Sequence, residues 1–247
     1  YKRQVVGDAG FDQVEYGDLS SLEASITENT AGIVLEPVQG EGGIRPIPKG
    51  YLASIRTLCD EHDILLMFDE VQSGVGRTGS LFAYQQLGVT PDLLASAKGL
   101  GGGIPIGACL ATAKVAAPMT AGSHGSTFGG NPLATAVGNA VLDELLSDDF
   151  MLNVRHAGFH LRSGLEDLVA QHPSLLSEVN GLGLMLGLRC HTDATALIAT
   201  LQNAGLLVVK AGGNSLRFLP ALNVTHSEID EALAILWRVL SKYQEKK

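Results

Sequence analysis

Lys98 stands where an apolar run meets a glycine-rich stretch. The segment "LLASAKGLGGGIPIGA", residues 93–108, carries one cation and then Gly99, Gly101, Gly102 and Gly103. Glycines have little packing value, so such a run implies a tight turn or a close backbone approach to a ligand. Two other apolar runs end on acids, "AGIVLEP" on Glu36 and "ILLMFDE" on Asp69 with Glu70. In "HGSTFGGNP", Ser126 and Thr127 offer hydroxyls among glycines just before a helix start, which suits an anion. Arg217 in "LRFLP" is a lone cation inside an apolar run and needs a carboxylate, from the protein or from a substrate. Glu41 in "EPVQGEGG" is one such acid on a turn.

Each feature has a plainer explanation taken alone. Asp69 could cap a following helix, Lys98 could be a solvated charge, and residues 122–132 could be a surface loop. The glycines do not complete a known phosphate loop: Lys98 precedes them, and neither GxxxxGK[ST] nor GxGxxG is present.

The elements that position these groups follow from periodicity. Residues 31–37, 64–70 and 92–98 read as buried parallel strands, and "KGYLASIRTLCDEHD" between the first two repeats Tyr51, Leu52, Ile55 and Leu58 at helical spacing. This is a βαβ arrangement, an α/β sheet with helices on its faces, whose ligands lie beyond the carboxyl ends of the strands. Glu36, Asp69 and Lys98 occupy those ends. "NPLATAVGNAVLDELLSDD" reads as one helix with Asn131 as N-cap and Pro132 at N1. A helix at 151–171, a strand in "LGLMLGLRC", a helix at 193–204 and two strands joined by Gly-Gly-Asn follow. A final helix opens on a Thr225/Glu228 capping box, with Ile229, Leu233, Leu236 and Leu240 on one stripe. Residues 1–149 are expected to form part of a larger domain and 150–247 a smaller α/β domain.

Composition narrows the function. Of 247 residues 45% are hydrophobic and 17% charged, so the chain is expected to bury a core rather than stay disordered. A net charge of -9, with only 17 Lys and Arg, argues against nucleic acid and for a small-molecule role. Cys59, Cys109 and Cys190 are widely spaced without CxxC, which predicts reduced, mostly buried thiols in the cytoplasm and no structural zinc or other metal. No signal peptide or membrane-length apolar run is seen, so a soluble chain is expected. It begins on Tyr1 and is expected to be the remainder of a longer protein.

Taken in order, "EPVQGEGG", "LLMFDEVQSGVGRTG", "SAKGLGGGIPIGA", "HGSTFGGNP" and "LRFLP" resemble the class III, ω-amino-acid-type aminotransferases that use pyridoxal 5'-phosphate (PLP). The motifs are most similar to those of arginine-pathway members acting on N-acetylornithine, ornithine or succinylornithine, with 2-oxoglutarate as acceptor. The resemblance implies the PLP-dependent type I fold, a mostly parallel sheet domain plus a small C-terminal domain, and a homodimer. It makes Lys98 the lysine that holds PLP as a Schiff base and later shuttles a proton, Asp69 the partner of the pyridinium nitrogen, and Gln72 a neighbour of the ring's phenolic oxygen. Thr127, with Ser126, would reach the phosphate bound to the other subunit. Arg217 would clamp the α-carboxylate of glutamate or 2-oxoglutarate, with Glu41 masking it while the ω-amino donor is bound, and Glu36 in a supporting role. The family's "SGTEAN"-like phosphate loop and "FHGR"-like aromatic segment are not found in the chain. A non-catalytic module that needs an N-terminal half to bind PLP is therefore the alternative reading. An aminomutase of similar fold suits the Glu41/Arg217 pair less well.

Overall fold

The structure, a computed structural model, describes residues 10–48 and 50–244. The N-terminal segment 1–9 and Lys49, at the start of the expected first crossover helix, lie outside the described residues. The elements run α1 (Leu19–Ser25), β1 (Gly32–Leu35), β2 (Val38–Gln39), β3 (Arg45–Pro46), α2 (Tyr51–Glu61), β4 (Leu65–Asp69), α3 (Tyr84–Leu87), β5 (Leu93–Ser96), β6 (Ala108–Ala111) and α4 (Ala113–Ala116). After them come α5 (Pro132–Leu145), α6 (Asp148–Gln171), β7 (Leu176–Leu182), β8 (Met185–Cys190), α7 (Ala194–Asn203), β9 (Val209–Ala211), β10 (Ser215–Phe218) and α8 (His226–Gln244).

Two four-stranded sheets organise these elements. The first has the order β1-β4-β5-β6, with β1, β4 and β5 parallel as expected and β6 antiparallel. The second, β7-β8-β10-β9, is wholly antiparallel. In α2, Leu52, Ile55, Leu58 and Cys59 are buried and share a core with Leu66 and Phe68 of β4. Alternation along a strand sends neighbouring residues to opposite faces. Leu66, Phe68, Leu94 and Ser96 are accordingly buried on the α2 side. Their neighbours Val34 and Leu65 are exposed on the other, so the described helices leave part of that face of the first sheet uncovered. The second sheet buries Leu186, Leu188 and Leu216 against α6, α7 and α8 in one apolar cluster.

Several expectations need correction. The expected single helix 131–149 ends at Leu145, and Ser147 N-caps a new helix from Asp148; Asn131 does cap the first, accepting from Ala134 N. Strand β7 was missed because "LSEVNGL" combines a glycine with polar residues, and it holds register only through β8. The expected strand 92–98 stops at Ser96, since Leu100 N–H turns back onto Ala97 O and Lys98–Gly101 forms a 3-10 turn. Lys98 itself adopts φ 49, a left-handed conformation uncommon for a side-chain-bearing residue. Cys59 and Cys190 are buried but Cys109 is exposed on the edge strand β6, and all three are free thiols. The capping box at Thr225/Glu228 forms reciprocally, with Thr225 N donating to Glu228 Oε2 at 2.8 Å and Glu228 N to Thr225 Oγ1 at 3.2 Å. No helix among the described residues is long and apolar enough to cross a membrane.

Candidate functional site

Strand pairing places the first two ionisable groups. Asp69 ends β4 opposite Ala95 of β5, and Lys98 follows three residues later on the same carboxyl edge. By alternation Asp69 shares the uncovered face of the sheet with Met67 and Ala95. Its Oδ1 accepts from Val71 N at 3.0 Å, which turns the carboxylate across the strand end. Its second oxygen accepts no hydrogen bond among the described residues, and Lys98 makes neither a hydrogen bond nor a salt bridge among them. A free carboxylate oxygen and a free amine at adjacent strand ends fit a heterocycle with a protonated ring nitrogen and a reactive carbonyl.

The second pair joins the two sheets. Arg217, on β10, donates from Nη1 to Glu41 Oε1 at 2.6 Å and to Gln72 Oε1 at 3.1 Å, with Gly40 O at 3.5 Å. The arginine side chain is 13% exposed and the glutamate 64%. The Arg217 hydrogen bond holds the Glu41 carboxyl below the ordinary glutamate value against the opposing effect of burial, with the Arg217 charge, Gln72 and the Lys98 charge acting in the same direction as that hydrogen bond. Arg217 Nε is buried without a partner among the described residues, so that donor of the guanidinium is unspent. A carboxylate entering there would meet the donor geometry arginine offers best.

Supporting groups set this geometry. Glu36 Oε2 accepts from Gly40 N at 3.1 Å, at the start of the turn that carries Glu41. Glu70, fully buried, accepts from Ala83 N at 2.6 Å, Tyr84 N at 2.9 Å and Ser73 Oγ at 3.1 Å, and so ties down the loop bearing Gln72. Arg77 donates to Leu184 O at 3.3 Å and Pro220 O at 2.6 Å, latching that loop to the second sheet. In the sequence Arg77 carries no signal beyond its place among the "GVGRTG" turn residues.

Ser126 and Thr127 are not brought into this cluster. Both are exposed, the Ser126 hydroxyl accepts from Gly129 N at 3.0 Å, and no hydrogen bond joins either residue to Lys98, Asp69, Gln72, Glu41 or Arg217. A cavity of about 370 Å³ lies beside Lys98 and Gln72, walled by Val75, Leu145, Phe150 and Leu222. Asp69, Glu41 and Arg217 do not line it, so it meets the cluster only on the Lys98 and Gln72 side.

Comparison with known proteins shows the family. Residues 8–240 match the aminotransferase class-III family. The chain is 54% identical over 224 residues to the acetylornithine aminotransferase of Brucella melitensis biotype 1, spanning 91% of this chain and 56% of that protein. It is 54% identical over 225 residues to the Agrobacterium fabrum acetylornithine aminotransferase, again spanning 56% of it. Among solved structures it is similar to an N-acetylornithine aminotransferase from Stenotrophomonas maltophilia K279a, with a TM-score of 0.85 and 40% identity over 95% of this chain and 63% of that one. The ornithine aminotransferase of Toxoplasma gondii ME49 gives a TM-score of 0.89 at 33% identity, over 96% and 58% respectively. The chain thus spans little more than half the length of the curated relatives it matches, and it belongs to the class III aminotransferases, a PLP-dependent family of the α/β type I transferase fold.

Proposed function

We propose that this chain is the lysine-bearing part of an aminotransferase that moves the ω-amino group of N-acetylornithine, or of ornithine or succinylornithine, to 2-oxoglutarate in arginine biosynthesis. The observation that carries this reading is the Arg217–Glu41 pair, an arginine with a spare buried donor masked by a largely exposed carboxylate. An enzyme whose two substrates differ in shape and charge must present a carboxylate clamp to one and hide it from the other.

PLP, when bound, supplies the electron sink that labilises the bond at the amino-bearing carbon. Asp69, with an oxygen free of hydrogen bonds among the described residues, would hold the ring N–H, and Gln72 would contact the ring oxygen. Lys98 would supply the amine that holds the cofactor, and its Nζ would serve as the group that moves the proton. Arg217 orients the α-carboxylate of 2-oxoglutarate. Glu41 closes over Arg217 when the amino donor is bound.

In the same reading the protein works in the cytoplasm as a homodimer, with Thr127 and Ser126 reaching the phosphate of the neighbouring subunit; the exposure of both residues supports this. Residues 1–149 contribute part of the large domain and 150–247 the small one, which accords with the two separate sheets. The test is the visible absorption of the chain with added PLP. A band from lysine-bound cofactor that is lost in Lys98→Ala supports the reading, and its absence from both proteins sinks it for this chain.

A further inference from the structure

Glu41 sits on the turn between β2 and β3, yet that turn is held by the second sheet. Gly212 N, in the turn joining β9 to β10, donates to Glu41 O at 2.8 Å. A Cβ at Gly212 would lie 2.8 Å from that same oxygen, so a side chain there would push the two turns apart. Three residues beyond Glu41, Ile44 is fully buried. It packs in one cluster with Val38, with Met185 of β8 and with Ala211 of β9.

The floor of this socket is Gly187 of β8, where a Cβ would stand 2.9 Å from Ile44 Cβ. Gly187 is also the direct cross-strand partner of Arg217 in the β8–β10 ladder. Ile44 therefore rests on the residue paired with the arginine, while the turn that precedes it carries the glutamate. Its backbone adopts φ 55, a genuine outlier for a β-branched residue. Such a conformation persists only where its surroundings over-determine it, and here the socket and the Gly212 hydrogen bond do so.

We infer that Ile44 is a positioning residue for the Glu41–Arg217 pair: seated on Gly187, it registers the turn bearing the glutamate against the strand bearing the arginine. Ile44 touches no reacting atom and acts through the pair. The kinetic consequence rests on the alternating-substrate reading above, whereas the docking can be measured without any reaction.

The experiment uses the full-length, PLP-loaded protein. Ile44→Ala unseats the turn and weakens the mask, so the ratio of KM for N-acetylornithine to KM for 2-oxoglutarate rises about tenfold. Ile44→Val keeps the β-branched shape and restores the ratio. Gly212→Ala disturbs the same turn without entering the socket and moves the ratio in the same direction. Combining Ile44→Ala with Glu41→Gln adds nothing to Glu41→Gln alone, because residues acting through one contact are not additive. Parallel changes in both KM values, or additive effects, overturn the positioning role. A ratio that moves with Glu41→Gln but not with Ile44→Ala or Gly212→Ala overturns this inference alone; a ratio unmoved by Glu41→Gln overturns the alternating-substrate reading and this role with it. Independently, hydrogen exchange should find the Gly212 amide protected in the native protein and fast in Ile44→Ala, and a native Gly212 amide that exchanges as fast as the exposed Gly213 amide overturns the docking itself.

Discussion

Arg217 Nη1 is 2.6 Å from Glu41 Oε1 and 3.1 Å from Gln72 Oε1, so one guanidinium nitrogen on the second sheet serves a carboxylate and an amide from two separate segments of the first half of the chain. The arginine is largely shielded and the glutamate is not. An exposed ion pair of this kind contributes only about 0–1 kcal/mol to stability after solvent screening, so its value lies in function.

The first prediction concerns the titration of Glu41. Hydrogen bonding to Arg217 lowers its carboxyl below the ordinary glutamate value. A depressed folded-state value means that the pair's contribution is complete above the unfolded value and lost as pH falls through the folded one. Carbon-13 carboxyl shifts should therefore place Glu41 below a free glutamate, and Arg217→Ala should raise it. An unchanged Glu41 titration in that variant would falsify the pairing.

Arg217→Ala should also divide the two half-reactions. Removing the partner of a desolvated carboxylate costs about 2–5 kcal/mol, which corresponds to a loss of roughly 30-fold or more in kcat/KM for 2-oxoglutarate. The half-reaction with N-acetylornithine should fall less than about tenfold, since the reading gives Arg217 no contact with that donor. Single-turnover absorbance measurements on the full-length protein separate the two, and equal losses would count against the clamp.

Much of this site was legible in the sequence because its chemistry sits where apolar runs stop. Asp69, Lys98 and Glu36 were found as the polar ends of β-like segments, and Arg217 as a cation with apolar neighbours. What was not legible depended on contacts distant in sequence. Ile44 reads as an ordinary turn residue in "GEGGIRP", and only packing on Gly187 gives it a role. Strand β7 has no periodicity of its own and exists through pairing with β8. The uncovered face of the first sheet was likewise hidden, since Val34 and Leu65 are as apolar as the residues buried opposite them.

The first sheet has an electrostatic fastening that can be tested by denaturation. Asp92 Oδ2 accepts from Leu66 N and from Arg56 Nη1, both at 2.8 Å, joining α2 to β4 and β5. Burial opposes its charge, but the Leu66 N–H and the Arg56 guanidinium outweigh that and hold the carboxyl below the ordinary aspartate value. Asp92→Ala should cost about 1–3 kcal/mol in urea unfolding, and Asp92→Asn less, because an amide oxygen can still accept from Leu66. With the folded value depressed, the native protein should lose this contribution as pH falls through it, and the difference from Asp92→Ala should shrink in acid.

Glu70 should show the opposite pH dependence. It is fully buried with no cation among its hydrogen-bond partners, and three donors from Ser73, Ala83 and Tyr84 converge on it. Burial pushes its carboxyl up, and the donors pull it back only in part. A raised folded-state value means that the native protein keeps a proton the unfolded chain has already released. Between the two values, stability must therefore fall as pH rises. Glu70→Gln removes this slope while leaving one acceptor for the backbone donors, whereas Glu70→Ala strands Ala83 N and Tyr84 N and should cost about 1–3 kcal/mol. The loop released in the alanine variant carries Gln72, so Glu70→Ala should also raise the KM for 2-oxoglutarate while Glu70→Gln leaves it near the native value. Urea denaturation across the pH range separates these outcomes: if the native protein and Glu70→Gln have the same slope, Glu70 is not the group that sets it.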